Sequence, residues 1–88
     1  MRQQIINLLQ SECKEKLTDY RRKQFEKQLK YQKEEIEWQK EDGIDAKEDL
    51  AIEAVCEAIL ETGLMPYSFE LKKKIEAITG FRHGVLLS

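Results

Sequence analysis

The feature that most constrains the fold of this chain is its first 42 residues, which contain neither proline nor glycine. Apolar side chains recur there every three or four residues, the spacing of one face of an α-helix. A first stripe runs through Ile5, Ile6, Leu9, Cys13, Leu17 and Tyr20, and continues more thinly to Tyr31 and Trp38. A second stripe on the opposite side comprises Phe25, Leu29, Gln32 and Ile36. A helix that is apolar on two faces is typical of a helix with two packing partners.

The segment LTDY is the one place where this helix could be interrupted. Thr18 or Asp19 is able to cap a new helix, but neither is followed three residues later by Glu or Gln, so the capping box is missing. The sequence therefore favours one continuous helix over residues 2–42. The alternative is a break near Thr18, after which the first segment folds back and completes a four-helix bundle within the chain.

Two shorter helices follow the long one. Gly43 ends the first helix, and Asp45 with Glu48 forms a capping box that predicts a helix over 45–62. Gly63 ends that helix, because glycine readily takes the left-handed conformation of a helix C-terminus.

Ser68 predicts the start of a third helix over 69–79. Residues 80–88 form a tail without helical periodicity, which we expect to be irregular. The chain contains one proline, and residue types with high helix propensity dominate its composition. We therefore predict an all-α fold in a single domain over residues 1–88, with the first two helices forming an antiparallel hairpin.

The charge changes sign along the chain. Residues 20–40 contain seven basic and four acidic side chains, net +3, whereas residues 41–63 contain one basic and eight acidic, net −7. An antiparallel hairpin brings these two segments together and predicts three ion pairs: Lys33 with Glu53, Lys30 with Glu57, and Lys27 with Glu61. Each exposed pair contributes only about 0–1 kcal/mol, so the pairs select the register and do not hold the hairpin together.

A continuous first helix would extend beyond this hairpin. Residues 1–19 would then project into solvent with an unburied apolar stripe, which on a soluble protein is an interaction surface. We therefore expect a homodimer resembling a coiled coil, in which residues 1–19 are the dimerisation segment. The residues predicted to form its interface are Ile5, Leu9, Cys13 and Leu17.

The two cysteines indicate the compartment. Cys13 and Cys56 lie on apolar helical faces without metal-ligand spacing, which predicts buried and reduced thiols and a cytoplasmic protein. Neither a signal peptide nor a membrane-spanning segment is recognisable in the sequence. We expect no membrane association.

Side-chain patterns for catalysis are missing from the sequence. Its one histidine, His83, lies in the tail without a ligand-spaced Cys, Asp or Glu, and we expect it to be solvated. Glu53, Glu57 and Glu61 share one helical line but lack the Glu-x-x-His partners that di-iron bundles use. The sequence therefore predicts a protein that is not an enzyme, with no catalytic residue, cofactor or metal site.

The aromatic and basic residues of the first helix leave two functions open. Tyr20, Tyr31 and Trp38 are either core residues or the anchors of a protein interface. We predict a small acidic regulatory module that binds a protein partner through Arg21, Arg22, Tyr31 and Trp38. The alternative is a nucleic-acid-binding regulator that uses the basic residues of the first and third helices. The pI of about 5.5 and the glutamates between the basic residues count against that alternative.

Overall fold

A computed structural model of the chain describes residues 1–43 and 45–87. Within that range the protein is all-α, with four α-helices and a final helical turn. The helices are α1 (Arg2–Glu12), α2 (Asp19–Glu41), α3 (Lys47–Thr62) and α4 (Phe69–Thr79), and the turn is α5 (Gly84–Leu87). The all-α class is confirmed, and the third predicted helix has the bounds expected for it.

The predicted continuous helix over residues 2–42 is wrong, and the alternative break near Thr18 is correct. α1 ends at Glu12, and Thr18 caps α2: its Oγ1 accepts a hydrogen bond of 3.2 Å from the backbone N–H of Arg21. Asp19 in the first turn adds a negative charge that the positive end of the helix dipole favours. A threonine cap is thus sufficient here without the reciprocal glutamate of a capping box.

The break is stabilised by a contact between two distant connections. Residues 13–18 run antiparallel to residues 63–68, with an isolated β-bridge between Lys16 and Leu64. The N–H of Leu17 donates to the Gly63 carbonyl at 2.9 Å, and the N–H of Met65 donates to the Glu15 carbonyl at 2.9 Å. Backbone groups released from α1 thereby regain partners, as buried backbone groups require. This explains how the helix is interrupted without proline or glycine.

The core lies around α3, which packs against α2 on one side and α1 on the other, while α1 also contacts α4. Each large apolar side chain buried there contributes on the order of 1.5–3 kcal/mol. Fully buried side chains come from four different helices and from the α3–α4 connection, and they include Ile5, Leu9, Val55, Cys56, Ile59, Met65, Ile75 and Leu87.

The stripe on which the dimer prediction rested is part of this core. Ile5 and Leu9 are fully buried, and Cys13 and Leu17 are only 7% and 8% exposed. The expectation that residues 1–19 project into solvent is therefore wrong. It failed because it followed from the continuous helix: once the chain turns at Thr18, α1 lies along α3 and buries the stripe.

The hairpin of α2 and α3 differs from its prediction in detail. Glu57 forms an ion pair of 2.9 Å with Arg2 of α1, and not with Lys30. α3 begins at Lys47, two residues later than predicted, and Asp45 Oδ1 accepts the Lys47 N–H at 3.1 Å. The pairing of α2 with α3 includes a hydrogen bond of 3.1 Å from Gln32 Nε2 to Asp49 Oδ1.

The predicted irregular tail, residues 80–88, is irregular only as far as His83. Gly80 ends α4, but residues 84–87 form α5 and the Leu87 side chain is buried in the core. Ser88 lies outside the described residues. Across the described part of the chain, no helix has the length and apolar content needed to cross a membrane.

Candidate functional site

One face of α2 carries three exposed aromatic side chains. Tyr20, Tyr31 and Trp38 are 73%, 55% and 71% exposed. Tyr20 and Trp38 are separated by about five helical turns and lie on one line, roughly 27 Å apart, with Tyr31 about 20° from that line. We call these three residues the aromatic face.

The opposite face of α2 is covered. Phe25, Gln32 and Ile36 are buried, and Leu29 packs against the core. The part of the first stripe that lies on α2, namely Tyr20, Tyr31 and Trp38, faces solvent, whereas the second stripe is packed on the core. The question of whether Tyr20, Tyr31 and Trp38 are core residues is thereby answered, because all three face solvent.

The two arginines predicted to bind a partner lie on different sides of α2. Arg21 is half-buried, with its guanidinium 5.8 Å from the centre of the Tyr67 ring, a cation–π distance. Arg22 points to the C-terminal end of α3, where its Nη2 lies 3.6 Å from the position that a Cβ on Gly63 would occupy. A cation there is favoured by the negative end of the helix dipole. Arg21 therefore belongs with the aromatic face, and Arg22 does not.

The charge around the aromatic face differs between its two ends. Arg21, Lys23 and Lys27 surround the Tyr20 end, whereas Trp38 shares a shallow cleft with Tyr31 and three glutamates, Glu34, Glu35 and Glu37. The Glu35 carboxylate raises the pKa of Tyr31, by hydrogen bonding and by its charge.

A groove adjoins the Tyr20 end of the aromatic face. It has a volume of about 1160 Å³ and lies between α2, the N-terminal half of α3 and residues 82–86. Tyr20 and Tyr31 belong to its α2 wall, and Arg82, His83 and Leu86 belong to the opposite wall. This groove brings together Arg21 and Tyr31 of the predicted partner-binding residues, and Trp38 lies beyond it.

His83, which we expected to be solvated, is 3% exposed. Its Nε2 lies 2.7 Å from the Thr79 hydroxyl, and its backbone N–H donates to the Glu76 carboxylate at 3.0 Å. Burial lowers the pKa of His83, against the opposing charges of Glu76 and Glu48. Its Nδ1 is buried without a hydrogen-bond partner among the described residues.

Sequence reasoning missed Arg82 and His83 as residues of the groove, since both lie in a segment without periodicity. The one available signal is the spacing of four residues between Thr79 and His83, which places the histidine one helical turn beyond the end of α4. Gly80 interrupts that turn with a positive φ of 80°, so the pattern is not recognisable without the structure.

The cysteines are not placed for nucleophilic chemistry. Burial raises the pKa of Cys56 to about 12, so its thiol stays protonated at neutral pH. Cys13 lies in the α1–α2 connection, where its Sγ donates to the Met65 carbonyl at 3.2 Å. Within the described residues, no three His, Cys, Asp or Glu side chains are grouped in a way that would hold a metal ion.

Comparison of the chain with protein-family models, with curated proteins and with solved structures gives no match. The class assigned to the protein therefore follows from its own geometry: within the described residues it is an all-α domain of four helices in which the aromatic face of α2 is exposed.

Proposed function

We propose that this protein is a small, non-enzymatic regulatory module that binds a protein partner through the aromatic face of α2. The observation that carries the proposal is the exposure of Tyr20, Tyr31 and Trp38 on one side of a helix whose other side is already packed. Aromatic side chains with a polar tip are enriched at the energetic centres of protein interfaces.

The size of the exposed apolar surface supports this proposal. Each aromatic side chain presents roughly 150–250 Å² when fully exposed, so the measured exposures correspond to on the order of 400 Å². A standard interface buries about 800 Å² per partner, so the aromatic face would supply about half of one.

The proposal assigns any self-association of the chain to the same face. Ile5, Leu9, Cys13 and Leu17 are buried within the monomer and are not available to a second copy without unfolding α1. A homodimer, if one forms, therefore uses Tyr20, Tyr31 and Trp38.

Nucleic-acid binding is the second candidate, because Arg21, Lys27 and Arg82 line one groove with two tyrosines. Base stacking on aromatic rings next to cations is typical of single-strand binding. Against it, two of the basic residues of α4 predicted for this role are engaged elsewhere: Lys74 pairs with Glu12, and Lys73 lies 4.8 Å from the Phe69 ring centre.

The experiment compares partner capture by the wild-type chain with capture by Tyr31→Ala and Trp38→Ala variants, each after nuclease treatment. We expect specific partners to be lost from both variants, because truncating an interface anchor typically costs more than about 2 kcal/mol, or a thirtyfold loss of affinity. The matched control is Phe69→Ala, which removes an aromatic of similar exposure, 69%, from α4.

Circular dichroism establishes that each variant remains folded, and sedimentation velocity measures self-association of the wild type. Partners retained equally by all three variants would refute the role of the aromatic face. Loss of every captured molecule on nuclease treatment would instead favour the nucleic-acid alternative.

A further inference from the structure

The groove beside the Tyr20 end of the aromatic face has an apolar floor and a cationic rim. Phe25, Ile52 and Leu86 supply apolar surface from three different elements. Arg21, Lys27 and Arg82 are the cations that line it, and Glu48 is the acidic residue. This balance is the reverse of that of the whole chain, whose formal net charge is −2. Charge complementarity therefore favours an acidic occupant.

His83 supplies an independent indication of a ligand. His83 lines the groove and is almost fully buried, and its Nδ1, like the Oε1 atoms of Gln32 and Gln39, is buried without a hydrogen-bond partner among the described residues. A buried polar atom without a partner is uncommon in folded proteins and requires a physical explanation. A peptide backbone would satisfy Nδ1 in either tautomer, because it offers both N–H donors and C=O acceptors.

The dimensions of the groove favour an extended peptide. It follows α2 from Tyr20 to Tyr31, which is about 16 Å at 1.5 Å per residue, and about five residues of extended chain cover that length. Its volume of about 1160 Å³ exceeds the roughly 300–1,000 Å³ of ordinary small-molecule pockets. The aliphatic side chains of Ile52 and Leu86 suit an apolar side chain of the occupant.

We infer that this groove binds an extended acidic peptide segment carrying at least one apolar side chain, with Arg21, Lys27 and Arg82 contacting its carboxylates. The inference rests on the proposed function, since it names the chemistry of the partner. The apolar side chain would lie on Phe25, Ile52 and Leu86, and the peptide backbone would approach His83.

The test begins with selection of random displayed peptides of about 12 residues against the full-length chain. The expected winners combine Asp or Glu with Leu, Ile or Phe. The affinity of the best peptide is then measured by fluorescence anisotropy for the wild type and for the Lys27→Ala and Arg82→Ala variants. We expect each variant to bind about twofold to fivefold more weakly than the wild type, the range for an exposed ion pair. This difference between variant and wild type should increase at low salt, where charges are less screened.

Lys30→Ala is the matched control, since Lys30 is an exposed lysine three residues from Lys27 that does not line the groove. It should bind the peptide as tightly as the wild type. An oligothymidylate is titrated in parallel, and tighter binding of this single strand than of any selected peptide would overturn the inference in favour of nucleic acid.

His83 gives a second readout without mutation of the core. It is the one histidine of the chain, so its imidazole ¹⁵N signals need no assignment by mutagenesis. Saturating peptide should shift the Nδ1 signal. An unchanged Nδ1 signal, selected peptides without acidic residues, or full affinity in both groove variants would each overturn the inference. Trp38 lies outside the groove. If one of these results overturned the inference, partner capture that still depends on Trp38 would continue to support the proposed function.

Discussion

Replacing Leu9 with alanine tests whether α1 belongs to the core of its own chain. Leu9 has no exposed surface and lies in the apolar cluster formed with α3 and α4. Truncation to alanine removes three carbon atoms from that cluster and leaves a cavity that its neighbours fill only in part. The expected result is a large loss of stability in a protein that remains monomeric at low concentration.

The magnitude follows from this burial. Leu→Ala at a fully buried site costs about 2–5 kcal/mol. An 88-residue domain has a free energy of unfolding of about 4–13 kcal/mol, so the substitution removes a large part of it. With an m-value of about 1–3 kcal/mol/M in urea, a loss of about 3 kcal/mol lowers the unfolding midpoint by roughly 1–3 M.

The assay is urea unfolding followed by circular dichroism, with Leu50→Ala as the matched control. Leu50 is a leucine of α3 that is 44% exposed, and its truncation should cost less than about 1 kcal/mol. The wild-type midpoint should be the same at about 1 and 50 µM protein, because the unfolding of a monomer does not depend on concentration.

Two results would refute this reasoning. A midpoint that rises with protein concentration and loses that dependence in Leu9→Ala would place the stripe in a dimer interface. A Leu9→Ala variant as stable as Leu50→Ala would mean that α1 is not packed on α3.

Three further predictions concern single side chains. Thr18→Ala should lower the free energy of unfolding by about 0.5–2 kcal/mol through loss of the α2 cap. The Ser68 side chain makes no cap hydrogen bond, so Ser68→Ala should cost less. Equal losses in urea unfolding would contradict the assignment of Thr18 as the cap. Cys13 and Cys56 should react with a thiol reagent only as fast as the chain unfolds, because both are buried, and rapid labelling of the native protein would contradict this. The lowered pKa of His83 means that the unfolded state binds a proton more tightly than the folded state, so stability should fall as pH drops below 6.5 towards the folded pKa. His83→Gln should show a shallower decline between about pH 7.5 and 5, and an unchanged decline would argue against the buried, neutral histidine.

Local sequence patterns predicted the parts of the fold that depend on neighbouring residues. The helix over 69–79 begins after Ser68, as predicted, although the serine side chain makes no cap hydrogen bond, and α3 ends at Gly63, a glycine with a φ of 67°. The two-sided pattern of α2 was also recognisable, because the periodicity of a helix is a local property.

What the sequence could not predict depends on contacts between distant residues. The break after Glu12 is stabilised by hydrogen bonds between residues 13–18 and 63–68, about 50 positions apart in the chain. His83 and Leu87 are both buried, and the periodicity of a nine-residue tail does not predict such docking. The candidate site was therefore predicted in its aromatic half and missed in the half that Arg82 and His83 supply.

The proposed function gives the aromatic face a contact outside the chain. The core is complete without Tyr20 and Trp38, so their exposed rings add little to the free energy of folding and increase the apolar surface in water. The charge along the face also gives a docked partner one direction. An acidic segment is attracted to Arg21 and Lys27 at one end and repelled by Glu34 and Glu37 at the other. A partner that places its acidic residues in the groove and its apolar residues against Trp38 therefore loses both contacts when it is reversed.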